Sequence, residues 1–356
     1  MDRVRVGFVG VGNMGQCAHL KHYAALPECE VVAIAEVRPA LRERVAARNG
    51  VPRTYGSFEE MLGAESLDAI VAPQQFTRHG LIVPDLVRYG LPVFTEKPLA
   101  SSVPVGERIV AAVREGGSWL MLGYHKRSDP ATAYAHAEIR RLQETGELGA
   151  MRYVRITMPP GDWVVGGFCD LVTSDEPRPP LESDPPPPDM TPEAFSRYVT
   201  LVNYYIHQIN LLRHLLGEPY RVAYAAPSGA LLAAESASGV SGVIEMAPYR
   251  TTLGWDESAL VGFERGYVRL DLPAPLVSGR AGSVTVYRDP GEGATPEATT
   301  PTLPPVGAMR QQAANFLRAV SGEAPPPCTA EEGLEDLRVA RDYQALLDGA
   351  PHVSRE

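Results

Sequence analysis

The chain has few of the features that mark secreted, membrane-spanning or metal-binding proteins. Its four cysteines are scattered and form no C-x-x-C pair, so we expect reduced thiols, no metal site and a cytoplasmic location. No apolar run approaches the length of a membrane span, and the first residues lack a signal-peptide pattern. The net charge is -10, and no basic stripe interrupts it. This charge argues against nucleic acid or an anionic membrane as a partner.

Lysine is also scarce. Lysine and arginine together number 33, yet lysine occurs only at positions 21, 97 and 126. Arginine serves wherever a positive charge alone is enough, whereas a buried lysine can release its proton near neutral pH. We therefore consider Lys97 and Lys126 as candidate functional residues. We interpret Lys21, on the first helix, as a lysine that remains by chance in a chain with a bias towards arginine codons.

Hydrophobic periodicity divides the chain into two predicted domains. Over residues 1–124, apolar strands alternate with helices, which predicts a parallel, doubly wound sheet in a dinucleotide-binding Rossmann domain. Residues 125–356 are interpreted as an α+β domain for substrate binding. There, about five or six short segments between Tyr220 and Tyr287 have the turn spacing of an open, mostly antiparallel sheet. A length of 356 residues suits two such cores.

The second domain also contains irregular stretches. Residues 159–192 form a proline-rich loop, and a loop of this length inside a compact protein is usually functional. We predict one helix from about Pro192 to Leu216. A second proline-rich stretch then precedes two closing helices, 308–320 and 330–347, for which we allow packing back onto the first domain.

The clearest motif lies at the start of the chain. An apolar strand ends in a G-x-G-x-x-G loop, and a helix follows it. Gly10 would allow the tight turn, Gly12 the approach of a pyrophosphate, and Gly15 the close packing of helix on strand. Asn13 and Met14 complete the loop, where free N–H groups and the helix dipole favour phosphate. We assign these residues to cofactor binding.

An acidic residue ends the second strand, about 20 residues past the glycine loop. In this position the Glu36 carboxylate would accept both ribose hydroxyls of NAD. Arg38 would instead bind a 2′-phosphate if Glu36 turned away, so NADP stays the alternative cofactor.

Two later loops follow the carboxyl ends of strands, where doubly wound sheets bind ligands. We assign Pro73, Gln74 and His79, in the first of these loops, to cofactor binding. The second loop begins with a Glu-Lys-Pro motif, in which Glu96 and Lys97 would lie beside the nicotinamide. Lys97 would hydrogen-bond a substrate hydroxyl and carry its proton as the hydride moves, while Glu96 holds and tunes the amine. The alternative is a surface ion pair before a proline turn.

Polar side chains recur along the helix predicted after residue 192. Asn203, His207, Asn210 and His214 fall at i, i+4, i+7 and i+11 and so share one helix face. A polar stripe beside an apolar face suits the wall of a pocket, and the alternative is a solvated face. We assign Asn203 and His207 to catalysis and substrate binding.

Two further pairs are candidate substrate ligands. Lys126 and Arg127 follow the last Rossmann strand, and either would bind the nicotinamide ribose or a hydroxyl, carboxylate or phosphate of the substrate. Arg127 would alternatively only pair with Asp129. In the proline-rich loop, Trp163 would stack on a sugar ring while Asp162 accepts its hydroxyls, unless this loop is a lid or a subunit contact.

Taken together, these motifs resemble the Gfo/Idh/MocA family, which includes glucose-fructose oxidoreductase and inositol dehydrogenase. The resemblance covers essentially the whole chain. It is carried by the glycine loop 10–15, the loop 73–79, the Glu-Lys-Pro motif 96–98, the junction Gly123–Arg127, Ile206-His207, Leu211–Arg213 and Leu216-Gly217. It implies NAD(P)-dependent oxidation or reduction of a sugar or cyclitol carbon, with the motif at 96–98 in a strained or cis turn. It also implies a homo-oligomer, a dimer or tetramer, formed through the sheet of the second domain.

The chain departs from the family near His207. The family position that matches His207 acts as an acid/base partner or a substrate ligand, and aspartates usually flank it where Asn203 and Asn210 stand. An amide can orient an imidazole but cannot stabilise imidazolium by charge. We therefore expect Lys97 to carry the proton and His207 to hydrogen-bond the substrate. A non-catalytic nucleotide- or sugar-binding regulator, or a glycosidase that uses NAD without net redox change, are the other interpretations.

Overall fold

The computed structural model describes residues 3–349, beginning with a six-stranded parallel sheet. Its strands are β1 (Val4–Val9), β2 (Cys29–Ala35), β3 (Arg53–Tyr55), β4 (Ala69–Ala72), β5 (Val93–Thr95) and β6 (Leu120–Leu122). They pair in the order β3-β2-β1-β4-β5-β6, and every pair is parallel. This is the order of a dinucleotide-binding doubly wound sheet, in which the chain adds strands to one side of β1 and then, from β4 onward, to the other side. The predicted Rossmann fold is confirmed.

Helices connect these strands. They are α1 (Lys21–Ala24), α2 (Pro39–Asn49), α3 (Phe58–Ala64), α4 (His79–Val87) and α5 (Val103–Glu115), with a short 3-10 helix at Phe76–Arg78. The chain before α1 differs from the regular helix predicted there, because Gly15–Leu20 forms a π-helix. All residues of the π-helix are buried, and His19 hydrogen-bonds the carboxylate of Glu96, which follows β5. Tertiary contacts are therefore found where the helix is wider than an α-helix.

The described residues fall into two compact units. The first takes in the chain up to Tyr124 together with Gly166–Phe195 and Met309–Leu337. The second takes in His125–Val165, Ser196–Ala308 and the described residues from Arg338 onward. The first unit thus includes two segments that the sequence analysis placed in the second domain. Residues 350–356 of that predicted domain lie outside the described residues.

The first closing helix packs into the core of the Rossmann sheet. It is α10 (Ala308–Val320), and α11 (Ala330–Leu347) follows. Phe316 of α10 lies edge-on to Phe94 at 5.8 Å and to Tyr23 at 6.3 Å between ring centroids. Burial of such aromatic rings dominates core energetics, which explains why most of α10 belongs to the first unit.

The second unit contains an eight-stranded sheet. Its strands are β7 (Met151–Thr157), β8 (Tyr220–Ala225), β9 (Leu231–Ser236), β10 (Ser241–Glu245), β11 (Glu257–Phe263), β12 (Gly266–Leu272), β13 (Ser283–Arg288) and β14 (Glu297–Thr299). They pair in the order β14-β13-β12-β11-β7-β10-β9-β8, and all pairs except β7 with β10 are antiparallel. The predicted open, mostly antiparallel sheet is confirmed. The short exposed edge strand β14 lies in the second proline-rich stretch, where none was predicted.

The remaining helices are α6 (His125–Ser128), α7 (Pro130–Thr145), α8 (Pro192–Tyr204) and α9 (Ile206–Leu216). The prediction of one helix up to Leu216 is wrong, because the backbone leaves the helical region at Tyr205, with φ -98° and ψ 0°. Aromatic and β-branched residues are weak helix formers, and two tyrosines and an isoleucine meet at this point. Asn203 therefore lies on a different helix from His207.

Candidate cofactor site and candidate catalytic residues

The glycine loop after β1 allows its backbone to approach a ligand. Gly10 has a φ of 91°, a conformation that favours glycine, and a Cβ there would collide with the Gln74 amide. A Cβ on Gly15 would lie 2.7 Å from the Gly10 carbonyl oxygen, so glycine lets the helix begin close to β1. At Gly12, by contrast, a Cβ would meet nothing within 4 Å. The loop is therefore open at Gly12, where a pyrophosphate would approach.

The next two residues lead into the helix. Asn13 is exposed, and Met14 is half-buried with helical angles, φ -66° and ψ -41°. They lie at a helix start, where the dipole and free N–H groups favour phosphate. Their direct contact with a cofactor stays a prediction.

The acid predicted to bind the ribose lies beside this loop. Glu36 follows β2, is buried, and accepts a hydrogen bond from the Val11 N–H at 3.2 Å. The Arg38 guanidinium binds both its oxygens, at 2.8 and 3.2 Å. Burial alone would raise the pKa of Glu36, but the bonds from Arg38 and Val11 outweigh burial and lower the pKa. Glu36 is therefore an ionised acceptor at neutral pH.

Gln74, in the loop after β4, covers Gly10. Its Nε2 donates to the Val9 carbonyl oxygen at 2.7 Å, and its Oε1 accepts from Arg78 at 3.3 Å. Pro73 packs near the start of the helix, since a Cβ on Gly15 would lie 3.4 Å from its Cγ. The structure thus places Pro73 and Gln74 against the glycine loop, as candidate cofactor contacts.

His79 joins two strand-end loops. Its Nδ1 lies 3.1 Å from the Leu99 carbonyl oxygen, and its Nε2 lies 3.2 Å from the Gln74 carbonyl oxygen and 3.1 Å from Thr95 Oγ1. Burial lowers its pKa, so the ring is neutral. Both nitrogens face protein atoms, and these contacts hold the loop after β4 against the loop after β5.

The Glu-Lys-Pro motif directly follows β5. The Lys97–Pro98 peptide bond is cis, Glu96 is buried and Lys97 is half-buried. Glu96 Oε2 accepts the Lys97 N–H at 3.2 Å, and Glu96 Oε1 lies 2.6 Å from His19 Nε2. Burial alone would raise the pKa of Glu96, but His19 and Lys97 outweigh it and lower the pKa. The motif is thus tied to the helix that follows the glycine loop.

His19 is not among the site residues predicted from the sequence. The signal that could have found it is a histidine among apolar residues in the helix after the glycine loop. A buried polar ring needs a partner, and a carboxylate at another strand end of the same sheet can provide one.

In the second unit, the predicted polar stripe mostly contacts other helices. The ring of His207 lies edge-on to that of His125 on α6, with centroids 4.6 Å apart. His214 stacks on His136 of α7 at 4.1 Å, and burial lowers the pKa of both. Asn203 is exposed on α8, beyond the break. From His207 to His214 the stripe is therefore not a solvated face, whereas Asn203 is exposed.

Arg127 of α6 is buried and donates from Nε to Asn210 Oδ1 at 2.7 Å. Asp129, the alternative partner, caps α7 by accepting the Ala131 N–H at 2.8 Å, and it also accepts the Gly282 N–H at 3.0 Å. Burial raises the pKa of Asp129. The amide of Asn210 thus meets a guanidinium, at a position where the resemblance implies an acid.

Lys126 belongs to a buried charge cluster in the second unit. It is 4% exposed, and its ammonium pairs with the Glu257 carboxylate. Gln208 Nε2 donates to Glu257 Oε1 at 2.7 Å, and Trp255 Nε1 donates to Oε2 at 3.2 Å. The Lys126 ammonium already has a carboxylate partner. Its contact with a substrate stays a prediction.

Asp162 stabilises the turn in which it lies. Its Oδ1 accepts the N–H groups of Val164 and Val165, each at 3.0 Å. Val165 has a φ of 43°, which the bond to Asp162, three residues earlier, helps to hold. Trp163 is half-buried, and its carbonyl oxygen accepts the Leu276 N–H. The predicted stacking of a sugar on Trp163 stays a prediction.

Neither a membrane-spanning helix nor a metal cluster occurs in the part of the chain that the structure describes. Across residues 3–349, no helix is both long and apolar enough to cross a membrane. In the same range, no group of three or more His, Cys, Asp or Glu side chains is placed to hold a metal ion.

The first unit defines the class of protein. Its strand order, the glycine loop open at Gly12 and the ionised Glu36 fit a nicotinamide dinucleotide. Residues 4–124 match the Gfo/Idh/MocA family model, which is described as an oxidoreductase family with an NAD-binding Rossmann fold. The Rossmann part of the chain, residues 4–124, thus belongs to the Gfo/Idh/MocA family of oxidoreductases, and its cofactor is NAD(P). The resemblance found in the motifs is confirmed.

Similar proteins cover nearly all of the chain. The uncharacterized oxidoreductase YrbE of Bacillus subtilis is 22% identical over 99% of this chain and 97% of its own length. The inositol 2-dehydrogenase of Burkholderia lata is 26% identical over 80% of each chain. The crystal structure of aldose-aldose oxidoreductase from Caulobacter crescentus shares the fold, with a TM-score of 0.70, 19% identity and 98% of both chains covered.

Proposed function

We propose that the protein is an NAD(P)-dependent dehydrogenase or reductase that acts on a carbinol or carbonyl carbon of a sugar, sugar derivative or cyclitol. The observation that carries the proposal is the position of Lys97, half-buried directly after β5 and beside a carboxylate bonded to the glycine-loop helix. The names of an inositol 2-dehydrogenase and an aldose-aldose oxidoreductase among the similar proteins support the substrate class.

Each part of the first unit has a role in this proposal. The backbone at Gly12 binds the pyrophosphate, and the Glu36 carboxylate accepts ribose hydroxyls. A bound nicotinamide supplies the hydride acceptor or donor. Nζ of Lys97 hydrogen-bonds the substrate oxygen and takes its proton in the oxidation direction, or returns it in the reduction direction. Glu96 positions Lys97 through the backbone N–H that it accepts.

The second unit contributes substrate contacts in the proposal. His207 and the exposed amide of Asn203 would hydrogen-bond substrate hydroxyls. Position 210 carries an amide, which accepts a hydrogen bond from Arg127, and an amide cannot stabilise an imidazolium at His207 by charge. This is why the proton is assigned to Lys97. Association of copies through the sheet of this unit stays a prediction, which light scattering of the purified protein tests.

The test compares two lysine variants on a panel of polyols, cyclitols and sugars with both cofactors. In Lys97→Ala we expect a loss of turnover of about 100-fold or more, the usual size of a general-base contribution. Cofactor affinity, measured by calorimetry, should stay within about twofold, or about 0.4 kcal/mol. Lys21→Ala, which removes a half-buried lysine from α1, is the matched control. Turnover by Lys97→Ala at the wild-type rate, with cofactor bound, would refute the mechanism.

A nucleotide-binding regulator is the second candidate, favoured by the amides at Asn203 and Asn210. Tight cofactor binding without reduced nicotinamide from any substrate of the panel would support it over the first proposal. Release of an aglycone from a glycoside without net reduction of the cofactor would instead indicate a glycosidase.

A further inference from the structure

A carboxylate of the proline-rich loop, that of Glu176, lies at the start of α2. Glu176 accepts the Ala40 N–H at 3.0 Å and the Leu41 N–H at 2.9 Å, although it lies more than a hundred residues away in the chain. Ser174 also donates to it, at 3.2 Å. Glu176 thus occupies the two N–H donors that a helix start would otherwise offer to an anion.

This helix start lies next to Glu36 and Arg38, the residues proposed to contact the ribose. Helix α2 begins directly after Arg38, and the Arg38 guanidinium already binds both oxygens of Glu36. A 2′-phosphate on that ribose needs a cation and N–H donors of its own. Here the Arg38 guanidinium is bound by Glu36, and the N–H groups of Ala40 and Leu41 are bound by Glu176. Two carboxylates would therefore face a phosphate that carries about two negative charges.

We propose that Glu176 is a specificity-determining residue that makes the nucleotide site select NAD and reject NADP. The inference rests on the proposed nucleotide site of the first unit. It assigns cofactor choice to two carboxylates, one at the end of β2 and one contributed by the distant loop.

The loop is fixed where it carries Glu176. Gln16, in the helix after the glycine loop, donates to the Val172 carbonyl oxygen at 3.1 Å and accepts the Val172 N–H at 3.0 Å. Arg44 of α2 donates to the Thr173 carbonyl oxygen at 3.0 Å. These bonds join the loop to both helices beside the nucleotide site, so Glu176 keeps its place.

Glu176 is charged under the conditions in which an oxidoreductase works. The Ala40 N–H is the main cause of a lowered pKa, with Leu41, Ser174 and the nearby Arg38 acting in the same direction. A lowered pKa keeps the carboxylate ionised at neutral pH, where repulsion of a 2′-phosphate is needed.

Calorimetric titration of the full chain with NAD⁺ and with NADP⁺ tests the inference. Glu176→Gln removes the charge but retains an oxygen that can accept a helix N–H. We expect it to tighten NADP⁺ binding about tenfold, through loss of like-charge repulsion at close range, and to leave the Kd for NAD⁺ within about twofold. Asp175→Asn, the same change at the exposed neighbouring residue, should alter neither Kd. If Glu176 only capped α2, Glu176→Gln would change the affinities for NAD⁺ and NADP⁺ by the same factor.

The outcomes separate this inference from the proposed function. An unchanged NADP⁺ to NAD⁺ ratio in Glu176→Gln, or equal wild-type affinities for the two nucleotides, would overturn the inference and leave the dehydrogenase proposal standing. Binding of neither nucleotide to the wild type would overturn both. A melting temperature of Glu176→Gln close to that of the wild type shows that the variant is folded.

Discussion

The buried pair of His19 and Glu96 provides the sharpest test of how the Glu-Lys-Pro motif is held. His19 is 1% exposed and Glu96 8% exposed, and their side chains meet at 2.6 Å. Replacing His19 with leucine leaves a buried carboxylate without this partner, a change that typically costs about 3–5 kcal/mol. The other Glu96 oxygen still accepts the Lys97 N–H, so we expect a loss near the lower end, about 3 kcal/mol.

The assay is urea unfolding followed by circular dichroism, with two variants for comparison. His19→Gln retains a donor for Glu96 and should lose only about 1 kcal/mol. His22→Leu is the matched control, because burial lowers the pKa of His22 to about 3 and the ring is therefore neutral. It should cost less than His19→Leu. A loss below about 1 kcal/mol in His19→Leu, or an equal loss in His22→Leu, would refute this account of the pair.

The contribution of Glu96 to the stability of the fold should change with pH in a definite direction. The pKa of Glu96 is lowered in the folded state, so its stabilising contribution is fully present above the unfolded pKa and is lost as the pH falls through the folded pKa. Without His19, burial should raise the pKa of Glu96. We therefore expect the difference between wild type and His19→Leu to be largest near neutral pH and to shrink on acidification. A difference that grows on acidification would contradict this assignment.

Three further substitutions test the geometry of the two units. In Gly12→Ala the added Cβ would lie in open space, so the melting temperature should stay unchanged. NAD binding should weaken about tenfold, or about 1.4 kcal/mol. Gly15→Ala would place a Cβ 2.7 Å from the Gly10 carbonyl oxygen and should destabilise the fold by about 1–3 kcal/mol in urea unfolding. Lys126→Met leaves Glu257 buried without its cation and should cost about 3 kcal/mol; no loss in unfolding would contradict the buried pair.

Features set by neighbouring residues were predictable from the sequence. The glycine loop, the acid after β2 and the Glu-Lys-Pro motif are local patterns, and parallel strands bring their carboxyl ends to one edge of the sheet. For this reason the local pattern alone was enough to place Gly12, Glu36 and Lys97 at strand ends. Alternating strand segments likewise predicted the sheet of the second unit.

Features that depend on distant pairing were not predictable. His19 and Glu96 are 77 residues apart, Lys126 and Glu257 131 apart, and Glu176 and Ala40 136 apart. No periodicity in one sequence links such residues, because their pairing follows from how the whole unit packs. The break at Tyr205 is a subtler case, in which apolar periodicity continues while the backbone leaves the helix.

We propose that hydride moves between a carbinol carbon and a nicotinamide on this protein. The most direct measurement incubates the wild-type protein with NAD⁺ and carbon-deuterated sugars and cyclitols, and then analyses the nicotinamide by mass spectrometry. We expect reduced nicotinamide that carries deuterium from at least one substrate, and we expect this product to be lost in Lys97→Ala. Tight NAD⁺ binding with no deuterium transferred from any member of the panel would contradict it.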